Sequence, residues 1–253
     1  MSGGRPRFAG AEVRAVLLDY GSTLVEVHRP DAAIDRAYER IAARLRELYP
    51  GGRIPPARSL RAGVHDRVEG VVEAHASSGS LREIDLGPVY RQAYADLLGE
   101  PVDAGWVAEL VAIEQRAWFA GIVPRPETPT TLRRLRAAGL RLGICSNAPY
   151  LSSGIRGQMA ANGVAELVDS ITLSAEVGWR KPAPRLFERA LADLGAAAAT
   201  TVMVGDRVRE DVEGALRLGM GAVWLRAEAA DRPLPPGAAT VDTLAEVPPL
   251  LGA

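Results

Sequence analysis

Apolar positions along this chain follow two rhythms. Between about residues 28 and 121 they recur every three or four residues. Ile34, Tyr38, Ile41, Leu45 and Leu48 form one stripe; Val64, Val68 and Val71 a second; Leu86, Val89, Ala93 and Leu97 a third; Trp106, Leu110, Ile113 and Ala117 a fourth. Each stripe is the buried face of an amphipathic helix. The breakers Pro50-Gly51-Gly52, Ser77-Ser78-Gly79 and Gly99-Glu100-Pro101 separate the stripes. This segment reads as a bundle of about four helices. Elsewhere, short apolar runs bounded by polar residues alternate with helical periodicity. The runs 13–18, 140–145, 170–173, 201–204 and 221–225 predict buried strands. Helices are expected at about 130–138, 151–162, 184–194, 210–218 and 243–251.

Alternating helix and buried strand predicts a parallel sheet covered on both faces. The lone strand at 13–18 must join that sheet, because an isolated strand is not stable. The fold expected is therefore α/β: a Rossmann-like parallel-sheet core with an inserted α-helical cap. Residues 1–11, rich in Gly, Arg and Ala, read as a flexible lead-in. Residues 12–27 and 122–253 make the core, and 28–121 the insertion.

Composition narrows the function. The 253 residues are 47% hydrophobic and 24% charged, an ordinary soluble composition. No apolar run approaches the ~18 residues a membrane-spanning helix needs. The 30 basic and 31 acidic residues nearly cancel, which argues against a nucleic-acid partner. A single cysteine, Cys145, excludes an internal disulfide framework. The opening residues lack the apolar stretch of a signal peptide, so a cytoplasmic location is expected. One lysine stands among 30 basic residues, Lys181. Its escape from the arginine bias points to a need for a compact ammonium, which a guanidinium fork does not replace.

In open parallel sheets, ligands bind beyond the carboxyl ends of the strands. The first predicted strand is followed by Asp19, the second by Ser146 and Asn147, and the fourth by Gly205 and Asp206, with Asp211 five residues on. Lys181 lies in the loop after the third. This set suits a metal and a phosphoryl group. Two carboxylates hold a hard magnesium ion, the lysine offsets phosphate charge, and a hydroxyl with helix N-terminal N–H groups binds phosphate oxygens. Single-residue alternatives are a turn-capping role for Asp19, a helix cap for Ser146 or Asn147, and helix-dipole pairing for Asp211.

The segments LLDYGSTL (17–24), ICSN (144–147), EVGWRKPAPRLFERAL (176–191) and VMVGDRVREDVEGALRLGM (202–220) resemble, in order, the four motifs of the haloacid dehalogenase superfamily of hydrolases. The resemblance covers the α/β part, and the helical insertion stands where that family carries its cap. It implies a magnesium-dependent hydrolase acting on a small phosphorylated substrate. Asp19 would be the nucleophile and form an aspartyl-phosphate, with Lys181 holding it against the phosphoryl group. Ser146, Asn147 and Thr23 would contact substrate. Asp19, Asp206, the Gly21 backbone carbonyl and Asp211, through a bound water, would serve the metal; orienting the lysine is the alternative for Asp211. Cys145 reads as an inert strand residue, Trp106 and Trp118 as core. His28, His65 and His75 read as surface or packing residues, with His28 the one near the site.

One departure stands out. Phosphatases of the family usually carry a second aspartate two residues after the nucleophile, as general acid and base; here that position is Gly21. A positioned general acid is worth about 10²–10⁴ in rate, a small part of the acceleration that phosphate-monoester enzymes reach, up to ~10²¹. The expectation is a phosphatase restricted to good leaving groups. Alternatives are a non-catalytic phosphometabolite-binding protein and a 2-haloacid dehalogenase. The dehalogenase fits less well, because its relatives carry an aromatic at the Gly21 position and do not retain the metal-binding form of Gly205-Asp206. Oligomeric state and natural substrate are not legible in the sequence.

Overall fold

The computed structural model describes residues 6–226 and 234–253. Six parallel strands form its central sheet: β1 (Ala15–Leu18), β2 (Arg141–Ser146), β3 (Ser170–Leu173), β4 (Thr201–Gly205), β5 (Gly221–Leu225) and β6 (Ala238–Val241). Their spatial order is β6-β5-β4-β1-β2-β3. Strand β1 is central and almost wholly buried, pairing Leu18 with Ile144 on one side and Val204 on the other. The chain winds outward from β1 through β2 and β3, then returns to β4 and winds the other way. The order reverses beside β1, so the crevice at its carboxyl end is where such a sheet offers room for a ligand.

Each sheet face carries its own apolar core. One gathers Val16, Leu18, Leu142, Ile144 and Val204 with Leu132 and Met159; the other gathers Leu17, Cys145 and Met203 with Leu186, Phe187 and Val212. The α/β architecture expected from the alternation is present. Strand β6 was not foreseen: its run, AATV, is short and weakly apolar.

The segment between β1 and β2 is mostly helical. Helices α1 (Asp31–Leu48), α2 (Arg67–Ser77), α3 (Leu86–Leu98) and α4 (Ala104–Trp118) surround a third core built on Ile34, Tyr38, Ile41, Leu60, Val64 and Tyr94. Asp85 and Asp103 cap α3 and α4 by accepting from backbone N–H groups. The chain crosses between the layers along an antiparallel ribbon of Val25–Val27 with Ile122–Pro124. Gly121 is required beside it, since a Cβ there would fall 2.0 Å from the His28 carbonyl oxygen. Helices α5 (Thr128–Ala137), α6 (Ser152–Ala161) and α7 (Pro184–Leu194) flank the sheet.

Two expectations need correction. Of the lead-in 1–11, residues 1–5 lie outside the described residues, but Arg7–Phe8 and Ala11–Glu12 pair as an antiparallel hairpin, with Phe8 buried against the sheet. The buried face of α4 also differs from the apolar stripe. It comprises Val107, Leu110, Val111, Glu114 and Gln115. Glu114 is satisfied internally: Tyr38 donates to its Oε2 at 2.8 Å, and His65 Nδ1 lies 2.6 Å from its Oε1. His65 is thus a packing residue, wholly buried in the helical core.

Candidate active site

The strand ends bring the predicted residues together. Asp19 follows β1 and is 7% exposed. Its Oδ1 accepts from Lys181 Nζ at 2.6 Å and from Ser146 Oγ at 3.0 Å. Lys181 is 2% exposed, and its ammonium also donates to the Cys145 carbonyl at 2.8 Å and pairs with Asp211 Oδ1 at 2.6 Å. Burial disfavours this charge, but two carboxylates outweigh it and hold the Lys181 ammonium well above its ordinary pKa. One nitrogen thus donates to Asp19 and to the Cys145 carbonyl and sits in ion-pair contact with Asp211, an arrangement suited to a compact ammonium.

Asp211 is fully buried. Its Oδ2 accepts from the Arg207 N–H at 2.9 Å while Oδ1 faces the lysine. Gly205 makes room for it, since a Cβ at that position would sit 2.3 Å from the Asp211 carboxyl carbon. These contacts set the Asp211 carboxyl against the Lys181 ammonium. Asn147 follows β2 and lines the same site. Its Oδ1 accepts from the Lys181 N–H at 2.7 Å and its Nδ2 donates to the Lys181 carbonyl at 3.3 Å, so it clamps the lysine's backbone. Helix α6 begins only at Ser152, so neither Ser146 nor Asn147 caps it, and its N-terminus does not start at the strand end.

Thr23 Oγ1 lies 3.4 Å from Asp19 Oδ2 and 3.4 Å from Asp206 Oδ1. A hydroxyl has one proton, so two carboxylate oxygens share a single donor. Burial, reinforced by the negative charge of Asp19, pushes the Asp206 carboxyl above its ordinary range. Asp19 Oδ2 and Asp206 Oδ1 are hard oxygen donors of the kind a divalent cation takes, with the rest of its shell left to water. Among the described residues, no three His, Cys, Asp or Glu side chains form a cage that would hold an ion by themselves. Gly21 could add only its backbone carbonyl.

A cavity of about 320 Å³ opens onto this cluster. Asp19, Lys181, Ser146, Arg180 and Arg207 line its core side, and Val72 and His75 of α2 face them from the helical layer. His75, taken as an ordinary residue from the sequence, is the histidine at this wall; its Nε2 donates to the Arg82 carbonyl at 3.0 Å. His28 instead points to solvent beside Glu26. The signal that could have found His75 was its position on the helix covering the site, invisible without the packing. The two layers are latched next to Lys181. Arg82 pairs with Trp179 in an antiparallel bridge, and the Arg82 and Arg185 guanidinium carbons lie 4.4 and 4.6 Å from the Trp179 ring centroid.

Known proteins resemble this chain in sequence and in fold. A glyceraldehyde 3-phosphate phosphatase of Methanothermobacter thermautotrophicus is 36% identical over 110 residues, 44% of this chain and about half, 48%, of that protein. A phosphoserine phosphatase of Thermus thermophilus is 32% identical over 220 residues, covering 84% of this chain and 81% of the relative. The solved 2-haloacid dehalogenase of Pseudomonas syringae pv. tomato superposes with a TM-score of 0.63, covering 94% of this chain and 98% of that one, at 21% identity, a likeness of fold alone. Residues 13–219 match the family model described as haloacid dehalogenase-like hydrolase, a span that holds Asp19, Ser146, Lys181 and Asp206, and the chain belongs to the haloacid dehalogenase-like hydrolases.

Proposed function

We propose that the protein is a phosphatase that transfers a phosphoryl group from a small substrate to Asp19 and then to water. The observation that carries this reading is the Asp19–Lys181–Asp211 row with Asp206 beside it. A carboxylate can approach an anionic phosphoryl group only where positive charge is fixed in place beforehand. Lys181, held by Asn147 and Asp211, supplies that charge without reorganising. Arg180 and Arg207 at the cavity wall add to the positive field. Ser146 and Thr23 offer hydroxyls to phosphoryl oxygens.

In this reading Asp19 and Asp206, with the Gly21 carbonyl, would hold Mg²⁺, which when bound neutralises charge on the transferring group. An Asp19 carboxylate oxygen attacks phosphorus, the P–O bond to the leaving group breaks, and the bond electrons depart with the leaving oxygen. Water then attacks the aspartyl-phosphate and releases inorganic phosphate, returning the carboxylate. The helical layer acts as the cap that excludes bulk water and selects the substrate. The relatives named as phosphatases support the reaction class.

Gly21 leaves the first step without a side-chain acid at that position. The absence is chemical rather than steric, since a Cβ there would meet only Val27 Cγ2, at 4.0 Å. Leaving groups that depart as stable anions are then favoured. The test is release of inorganic phosphate from acetyl phosphate and p-nitrophenyl phosphate, with and without magnesium. Release that needs magnesium and disappears in Asp19→Asn supports the proposal. Halide release from a 2-haloacid, unaffected by chelator, would replace it with the dehalogenase reading. Binding of phosphate analogues without any turnover would make the protein a phosphometabolite-binding one.

A further inference from the structure

A second cavity, of about 280 Å³, adjoins the one at Asp19 and shares Gly21, Val27, Ser146, Asn147 and Tyr150 with it. It lies between the layers, where a group esterified to the phosphoryl oxygen would project past Gly21. Its walls are mainly apolar: Val25, Trp118, Phe119, Ile122 and Ile155. Three carboxamides interrupt them, Asn147, Gln115 of α4 and Gln158 of α6. Gln115 is 6% exposed, and neither its Oε1 nor its Nε2 has a hydrogen-bond partner among the described residues. It is held close to α6, where a Cβ on Gly154 would fall 2.1 Å from its Oε1. A buried carboxamide with both ends unmatched is costly unless something else completes it.

Charge divides the two cavities. The first contains Arg180, Lys181, Arg207 and His75. Among the described residues lining the second there is no Lys, Arg or His; Glu69, bonded to the Tyr150 hydroxyl at 3.1 Å, is its one ionisable carboxyl. A leaving group carrying a carboxylate or a second phosphate would meet no cation there. We infer that this cavity is the leaving-group subsite and that it takes an uncharged, ring-sized apolar group bearing a neutral hydrogen-bonding substituent, which the Gln115 carboxamide completes. This rests on the phosphatase reading and deepens it. An aryl oxyanion leaves without protonation more readily than an alkoxide, so the same substrate class answers both the apolar walls and the glycine at position 21.

Kinetics and binding test the subsite separately from the reaction. Wild type is expected to hydrolyse phenyl phosphate with kcat/KM at least about 100-fold above O-phosphoserine. Filling the cavity with Ile155→Trp lowers kcat/KM for phenyl phosphate about tenfold or more and leaves acetyl phosphate, too small to reach it, within about twofold. Gln115→Leu removes the preference for 4-carbamoylphenyl over phenyl phosphate. Binding is read without turnover: phenylphosphonate raises the Tm more than methylphosphonate in wild type, and equally little in Ile155→Trp. O-phosphoserine turned over as fast as phenyl phosphate, or equal Tm shifts for the two phosphonates in wild type, would overturn the subsite. Loss of all turnover with the phosphonate difference intact would overturn the phosphatase reading and leave the subsite standing.

Discussion

Lys181 Nζ lies 2.6 Å from Asp211 Oδ1, with about 2% of either side chain exposed. Two opposite charges so deeply buried stabilise each other only while both are present. Removing one partner of a buried pair costs about 3–5 kcal/mol, because the other charge is left in a poor solvent. Asp211→Asn is therefore expected to lower unfolding free energy by about 3 kcal/mol in urea titrations. Lys181→Arg, although charge is kept, is expected to lose about 10²-fold or more in turnover, since a planar fork cannot reach Asp19, Cys145 and Asp211 from one nitrogen. Unchanged activity in the arginine variant would contradict this.

Gly21 has space for a side chain and no strained backbone. Gly21→Asp is expected to speed alkyl monoesters such as glycerol phosphate by about 10–100-fold, a fraction of what a positioned general acid supplies. Aryl and acyl phosphates, which need no protonation, gain nothing, and the added charge beside the second cavity slows the aryl ones. Steady-state kinetics on both classes decides it. Equal gains for all substrates would mean the aspartate acts through something other than protonating the leaving oxygen.

The Asp206 carboxyl is held above its ordinary value of 3.8 by burial first and by Asp19 second. Its proton is bound more tightly in the folded chain than in the unfolded one. Its contribution to stability is therefore complete below pH 3.8 and is lost as pH rises through the raised folded value. Metal-free protein should lose stability on this account as pH rises from about 4 toward neutrality. Magnesium, replacing the proton as counter-charge, should raise the Tm at pH 7 and have little effect near pH 4. Asp206→Asn should abolish the magnesium shift; a shift retained in that variant places the ion elsewhere.

Cys145 is wholly buried, and burial pushes its thiol up to about 12. Lys181 nearby lowers it less than burial raises it. The native protein should not react with a disulfide reagent at pH 8, and should react with one equivalent once unfolded in guanidinium. Fast native labelling would mean that β2 opens readily under the site.

The central sheet was legible because its strands are apolar runs separated by helical periodicity; of its six described strands β6, with its short AATV run, escaped that signal, as did the short antiparallel pairs at Arg7–Glu12 and between Val25–Val27 and Ile122–Pro124. The site was legible for a related reason. In a parallel sheet the residue after a strand has a known address, so Asp19, Ser146 and Asp206 could be placed without coordinates. What the sequence hid lies across the interface between the layers. His75 and Trp118 read as ordinary helix residues, yet both face cavities once α2 and α4 are docked. The true inner face of α4 was masked because Glu114 and Gln115 look like solvent-facing positions until His65 and Tyr38 are seen to satisfy the former. The hold of Asn147 on the Lys181 backbone is not legible in the sequence, since it depends on a loop path that periodicity does not report.

The most direct measurement is acid quench of the reaction with acetyl phosphate during turnover, followed by mass analysis of the peptide bearing Asp19. One added phosphoryl group is expected on Asp19, formed only with magnesium and absent from Asp19→Asn. Phosphate released at the wild-type rate by Asp19→Asn, or label found on another residue, would contradict it.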